Sequence, residues 1–158
     1  MEQYLLELEI ARKSIKSAEH MVTMTYDVIN DPKLFITLAQ RLFSANISIM
    51  RAILFFERYQ RKIPAFDEEL AVMLELFKIR TTRRYSFSTD YPKLIEELQS
   101  IVDGYKKSPV AFKRKENFVI CDDRYNLNIL TKDKSKLYLE RTKKFLSDVE
   151  QMIAKLNK

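Results

Sequence analysis

Three arginines and a tyrosine fall within the first six positions of the segment RTTRRYSF, residues 80–87. Arg80, Arg83, Arg84 and Tyr85 follow an apolar helical pattern, so we expect them near the C-terminal end of a helix. Basic side chains at such an end can satisfy the last carbonyl groups and the helix dipole. Alternatively, the planar guanidinium group of Arg80 can bind a phosphate, whose geometry it matches. The segment therefore indicates either RNA contact or a capped helix end.

A second basic cluster lies between residues 106 and 115, where five of ten residues are basic. Tyr105 and Phe112 are interleaved with the basic side chains. This combination suits single-stranded RNA, because bases stack on aromatic rings while phosphates pair with cations. The alternative is a solvated loop, whose charge the nearby Asp122 and Asp123 would dilute. The basic members of the cluster are Lys106, Lys107, Lys113, Arg114 and Lys115.

The composition excludes several other kinds of site. The chain has one cysteine, Cys121, and one histidine, His20, which excludes an intrachain disulfide and a zinc site of the usual ligand count. A single glycine excludes the glycine-rich loops that cradle phosphates. We therefore expect neither a metal nor a cofactor. His20 lies within a helical pattern and is interpreted as a structural or solvent-edge residue, and Cys121 as a small buried hydrophobe.

Length and charge narrow the class of protein. The chain has 158 residues, a size that fits one domain spanning residues 1–158. Its net charge of +6 is compatible with nucleic acid or an acidic partner. The N-terminal segment is charged and lacks the pattern of a signal peptide. Together with the single cysteine, this favours a reducing, cytoplasmic location.

Apolar periodicity and the scarcity of glycine and proline predict a mostly all-α fold. We expect an up-and-down bundle of about five helices, with Gly104 near the end of the fourth. The buried face of the third, which starts at Asp67, projects onto Arg80 and Arg84. Two short strands, Phe118–Cys121 and Tyr125–Leu130, with a turn at Asp122 and Asp123 predict a small β-hairpin insert before the last helix, at about residues 116–131. The predicted helices cover residues 3–29, 32 to about 62, 67 onward, from the break at 86–93 to about 105, and about 134–156.

The second predicted helix is apolar around most of its circumference, with one narrow polar stripe. Arg41 and Arg51 lie within its most apolar stretch, which argues against a membrane span. The helix is therefore predicted to be central in the bundle, and its wide apolar perimeter predicts self-association as a homodimer. Asn46 and Glu57 lie on its apolar side and need buried partners. For Glu57 we expect Arg80 or Arg84.

The long paired helices, followed by Arg80 and then Tyr85 at the junction of the third and fourth helices, resemble the HEPN superfamily. This resemblance covers roughly residues 1–105 and the last helix. It implies a helical bundle that is usually dimeric, in a superfamily of ribonucleases, RNA-binding toxin and defence proteins, and interaction modules. Active members carry an arginine, four to six residues, and then a histidine. Here Arg80 occupies the arginine position and Tyr85 replaces the histidine. The segments FFERYQRKIPAF and KKSPVAFKRKENFVICDD also resemble small archaeal helical proteins.

The function predicted first is that of a non-catalytic, HEPN-like module. It would bind RNA through Arg80, Arg83, Arg84, Tyr85 and the 106–115 cluster. The alternative is a dimeric interaction or scaffold protein without a nucleic-acid role. A third is a weak or degenerate ribonuclease that uses Tyr85, although a phenol of ordinary pKa is a poor base at neutral pH. A continuous positive face joining the two clusters would favour RNA, and a bare apolar patch would favour a partner protein.

Overall fold

A computed structural model describes residues 2–108 and 110–157 of the chain. The α-helices are α1 (Gln3–His20), α2 (Tyr26–Ile29), α3 (Leu34–Tyr59), α4 (Leu70–Leu76), α5 (Thr82–Tyr85), α6 (Asp90–Lys107) and α7 (Lys132–Leu156). A π-helical turn, Met21–Thr25, joins α1 to α2, and another, Phe77–Thr81, joins α4 to α5. The chain therefore forms five continuous helices, which confirms the predicted fold class.

The long helices alternate in direction. Helix α1 runs antiparallel to both α3 and α7, and α6 runs antiparallel to α7. Cross-helix bonds establish these directions, because residue numbers fall along one helix as they rise along the other. The bonds are Arg51–Glu7 and Arg41–Ser17 for α1 with α3, Arg12–Glu150 and Lys143–Glu19 for α1 with α7, and Tyr91–Asp148 and Arg141–Glu97 for α6 with α7.

Helix α3 is the centre of the bundle, as predicted. Its only exposed residues are Gln40, Arg41, Ser44 and Tyr59. The self-association prediction rested on the uncovered perimeter of this helix, yet the single chain covers it. Self-association therefore stays a prediction that needs another surface. Within the part of the chain that the structure describes, no helix combines the length and apolarity that a membrane span requires.

Helix boundaries follow local capping. The Asp31 carboxylate accepts a hydrogen bond from the Lys33 N–H at 3.0 Å in the turn before α3. The third helix begins later than predicted, at Leu70, because Asp67 folds back to accept the Glu69 N–H at 2.9 Å. The last helix begins at Lys132, where the Thr131 side chain accepts from Lys134. These differences of two or three residues leave the bundle unchanged.

The insert before α7 has three strands, not two. They are β1 (Val110–Arg114), β2 (Asn117–Cys121) and β3 (Leu127–Leu130), in the antiparallel order β1-β2-β3. The predicted hairpin corresponds to β2 and β3, with Tyr125 in the connecting loop rather than in a strand. Strand β1 was missed because its charged C-terminal half is typical of a loop. Phe118, Ile120 and Leu130 attach the sheet to the helical core.

Gly104 lies near the end of α6, as predicted, but it does not stop the helix, which continues to Lys107. The chain instead ends two helices with the left-handed residues Asn30 and Ser86. A Cβ added at Gly104 would meet no other side chain within 4 Å among the described residues. Replacing Gly104 with alanine should therefore raise the free energy of unfolding by about 0.5–1 kcal/mol, since glycine is a poor helix former. Urea unfolding measures this gain, and an unchanged or lower stability would contradict the helical assignment.

Candidate functional site

A buried carboxylate lies at the end of the bundle where α3 meets α5. Glu57 is 0% exposed, and its Oε1 atom accepts a hydrogen bond from the Thr81 hydroxyl at 2.7 Å. The Arg84 guanidinium pairs with Oε2. Burial raises the pKa of Glu57, although Thr81 and Arg84 oppose that shift. The predicted pairing of Glu57 with a basic residue is confirmed, and the partner is Arg84. We call this the Glu57 end.

Tyr85 lies beside this carboxylate and faces inward. Its hydroxyl is buried, and the Lys62 ammonium lies 5.9 Å from the centre of its ring. Burial raises the pKa of Tyr85, and the charge of Glu57 raises it further. A general base needs a pKa near the working pH. The environment of Tyr85 therefore disfavours its use as the base of a degenerate ribonuclease.

Arg80 does not face the bundle, contrary to the projected helical face. The π-helical turn at Phe77–Thr81 contains one more residue per turn than an α-helix would. The residues that point into the bundle after Phe77 are consequently Thr81 and Thr82, which are buried. Arg80 is exposed and lines an apolar groove instead. Arg83 is exposed as well, so only Arg84 of the three arginines is tied to the buried Glu57.

The apolar groove lies between the α3–α4 loop and the exposed side of α4. It has a volume of about 600 Å³. The exposed fraction is 39% for Val72 and 49% for Ile79, so both side chains remain open to a partner. Glu75 and Arg80 are the charged groups of the lining, and neither has an ion-pair partner among the described residues. We call this the α4 groove, lined by Ile63, Pro64, Ala65, Phe66, Ala71, Val72, Glu75, Leu76, Ile79 and Arg80.

The structure does not bring the two basic clusters together. Helix α6 starts beside the segment 80–87 and ends at Lys106 and Lys107. Its 18 residues span about 27 Å at 1.5 Å per residue. The clusters therefore lie at opposite ends of the bundle, the second at what we call the sheet end. RNA binding by these residues stays a prediction, but the clusters do not form the one continuous face that would favour it.

The second cluster is not a loop. Lys106 and Lys107 end α6, Lys113 and Arg114 belong to β1, and Lys115 lies in the β1–β2 turn with φ of 56°. Lys113 is bound to Asp31 at 3.1 Å, which anchors β1 to the turn before α3. The other four basic side chains have no ion pair among the described residues.

Asn46, another buried polar residue of α3, makes its hydrogen bonds separately from Glu57 and through its amide nitrogen, whereas its Oδ1 has no partner among the described residues. The Asn46 side chain donates to the Leu42 carbonyl and to the Thr142 hydroxyl, both at 2.8 Å. Thr142 in turn donates to the Tyr138 carbonyl at 2.8 Å. Asn46 therefore fixes the register of α7 against α3, three turns away from Glu57. Both residues have a structural role in the described contacts.

Sequence reasoning missed two polar contacts that hold helices together. Arg51 binds the nearly buried Glu7 at 2.9 Å and Glu68 at 3.1 Å. Arg141 binds Asp90 at 2.7 Å and also Glu97, and it lowers the pKa of Asp90. Glu7 could have been found, because it lies three residues after Tyr4 on the apolar stripe of α1. Nothing in the sequence indicates which acids meet Arg141.

His20, the only histidine of the sequence, ends α1, and Cys121, the only cysteine, ends β2. His20 is exposed, with Nδ1 near the Thr25 hydroxyl at 3.4 Å. Cys121 is half-buried on the sheet rather than buried as expected. Residues 2–108 and 110–157 contain no group of three acidic, histidine or cysteine side chains that could hold a metal ion. A scan against protein-family models finds no match, and a search of curated proteins finds no similar sequence.

Proposed function

We propose that the protein is a non-catalytic interaction module that self-associates through the α4 groove. One observation supports this proposal above the others. The folded chain leaves an apolar groove open. Three of its apolar side chains lie along one helix at spacings of four and three residues: Val72, Leu76 and Ile79. Exposed apolar side chains at this spacing suit a second helix laid along them. A second copy of α4 supplies such a helix.

Charge complementarity favours an antiparallel arrangement of two copies. In an antiparallel helix pair with a twofold axis near residues 77 and 78, Glu75 of each chain faces Arg80 of the other. Leu76 then faces Ile79. A parallel pair would instead place Glu75 against Glu75 and Arg80 against Arg80, which is repulsive. The π-helical turn contributes to this match, because it moves Arg80 into line with the groove.

The dimer should be of moderate affinity. The helix from Leu70 to Tyr85 has 16 residues and is about 24 Å long. One helix pair and the adjoining loop bury less surface than the roughly 1,200–2,000 Å² of standard stable interfaces unless more of the chain takes part. We therefore expect a reversible monomer–dimer equilibrium in the micromolar range.

Charge reversal tests the arrangement directly. Glu75→Arg or Arg80→Glu alone should weaken dimerisation by about tenfold or more, because two attractive pairs per dimer become repulsive. The double variant Glu75→Arg/Arg80→Glu should restore wild-type affinity. Sedimentation equilibrium from 1 to about 200 µM covers the expected range of dissociation constants. Lys136→Glu is the matched control, since Lys136 is exposed on α7 outside the groove.

Two results would contradict the proposal in different ways. A wild-type chain that stays monomeric at the highest concentration would exclude self-association as its function. A stable dimer that is insensitive to both reversals would retain self-association but reject the α4 groove. Circular dichroism of each variant separates loss of association from loss of fold.

RNA contact is the second candidate function. It is supported by the four basic side chains at the sheet end that have no ion-pair partner among the described residues: Lys106, Lys107, Arg114 and Lys115. Such a surface would contact phosphates without reading sequence. Binding would then weaken with salt, with a slope set by the few cations at this end.

A further inference from the structure

The outer face of the sheet is apolar and uncovered. The strand register places Phe112, Val119 and Ile129 in one row and Val110, Cys121 and Leu127 in the next. Only Val119 is buried, because its two neighbours flank it. The other four aliphatic or aromatic side chains are 37–59% exposed. An apolar face of this kind on a small sheet is a surface for a partner.

Strand β1 adds a second feature to this face. It is an edge strand, since the order is β1-β2-β3, and all five of its residues are exposed. The side of β1 away from β2 therefore has no strand partner among the described residues. Unpaired N–H and C=O groups along such an edge can bind another extended chain.

The charge of the edge selects the occupant. Arg114 and Lys115 lie at one end of β1, and Lys107 precedes its other end. Pairing β1 with β1 of a second copy would bring these positive charges together along one edge, and basic side chains on an edge strand oppose self-pairing. A segment with acidic side chains has the complementary charge. The sheet end therefore disfavours a second copy and favours an acidic extended chain.

The apolar character of the face favours polypeptide over RNA. In the described strands, Phe112 is the only aromatic residue of the outer face. Its other members are aliphatic or Cys121, with Arg114 and Asn117 at one end. RNA bases bind by stacking on aromatic rings or on guanidinium planes. Aliphatic side chains instead pack against the alternate apolar side chains of a strand.

From these observations we infer that β1 and the outer face of the sheet bind an extended segment of a partner protein that carries apolar residues at alternate positions and acidic residues at one end. The segment adds as a fourth strand beside β1. Its apolar side chains pack on Val110 and Phe112, and its acidic side chains approach Arg114 and Lys115. This inference is independent of self-association, because the α4 groove lies at the other end of the bundle.

The test uses the full chain and a fluorescein-labelled nine-residue peptide in which valine alternates with threonine over six residues and three glutamates follow at one end. Fluorescence anisotropy should give a dissociation constant of about 10–100 µM, as for small transient interfaces. Binding should weaken with salt. A peptide with lysine in place of glutamate, and one with proline at alternate positions, should bind at least about fivefold more weakly, because they lack the charge or the strand hydrogen bonds.

Protein variants locate the site. Phe112→Asp and Arg114→Glu should each reduce peptide affinity by about fivefold or more, through lost apolar contact and reversed charge. Ile10→Asp and Lys16→Glu are matched controls on exposed positions of α1 and should bind as the wild type does. Amide hydrogen exchange adds a readout that needs no variant: amides of residues 110–114 should become protected when the peptide binds.

Several outcomes would overturn the inference. These are equal binding of all three peptides, no binding at 1 mM, or protection that appears outside β1. Labelled single-stranded RNA is titrated in parallel. If RNA binds, loses affinity in Arg114→Glu and the acidic peptide does not bind, the surface is a nucleic-acid site instead.

Discussion

Replacing Arg84 with alanine should lower the free energy of unfolding by about 3 kcal/mol at pH 7, because it leaves the buried carboxylate of Glu57 without its charged partner. Glu57 is fully buried, whereas Arg84 is partly exposed, so the cost arises from the carboxylate that remains. Urea unfolding at equilibrium measures this loss. Arg83→Ala is the matched control, since Arg83 is exposed next to it, and should change stability by less than about 0.5 kcal/mol.

The loss should depend on pH in a defined direction. Burial raises the pKa of Glu57 in the folded chain above its ordinary value, so the folded state holds this proton more tightly than the unfolded state. The stability that comes from this tighter proton binding is fully present below the pKa of Glu57 in the unfolded chain. It is lost as the pH rises through the pKa of Glu57 in the folded chain. Removing Arg84 raises that folded pKa further. The difference between Arg84→Ala and the wild type should therefore be small near pH 4 and grow toward pH 7. A difference that is constant with pH would contradict the role of Glu57.

The largest loss of stability is expected for Tyr91→Ala, at about 4 kcal/mol. Tyr91 is 1% exposed and stacks on Phe145, with ring centres 4.5 Å apart. Its hydroxyl donates to Asp148, and burial followed by this carboxylate raises the pKa of Tyr91 so that the phenol stays protonated. Alanine removes both the ring contacts and the hydrogen bond between α6 and α7.

The conservative variant separates the two contributions. Tyr91→Phe retains the ring and should cost only about 1–2 kcal/mol, the usual effect of losing a hydrogen bond to a charged group. Tyr125→Ala controls for loss of a tyrosine as such, because Tyr125 is 84% exposed. In thermal and urea unfolding, the loss of stability should be largest for Tyr91→Ala, smaller for Tyr91→Phe and smallest for Tyr125→Ala. Equal costs for Tyr91→Phe and Tyr91→Ala would show that the ring packing contributes little.

Periodicity was sufficient to predict the helices but not the direction of every side chain. The five helices, the central position of α3 and the pairing of Glu57 follow from apolar spacing and from the cost of burying a charge. The direction of the side chains after Phe77 could not be predicted in this way. A π-helical turn shifts the helical register there, and no residue type in the sequence indicates such a turn. Strand β1 was missed for a different reason: its stability comes from pairing with β2, a contact that local composition does not reveal.

The candidate surfaces were less predictable than the fold. The sequence identified the basic residues of both clusters, but only the path of α6 shows that these lie at opposite ends. The α4 groove combines a loop with one side of a helix, and the outer sheet face combines three strands. Exposed apolar residues gain meaning only when the structure shows that nothing in the described chain covers them.

The π-helical turn at Phe77–Thr81 has a consequence for comparing this chain with others. A π-helical turn accommodates one residue that a regular α-helix of the same length would not hold. A protein lacking one residue here could keep the inward Phe77 and Thr81 contacts while losing one groove-lining position. An alignment would then need a single-residue gap inside a helix, where gaps are normally penalised. Losing or gaining that residue would move the positive charge of Arg80 out of the groove or into it, while the buried core contacts stay the same.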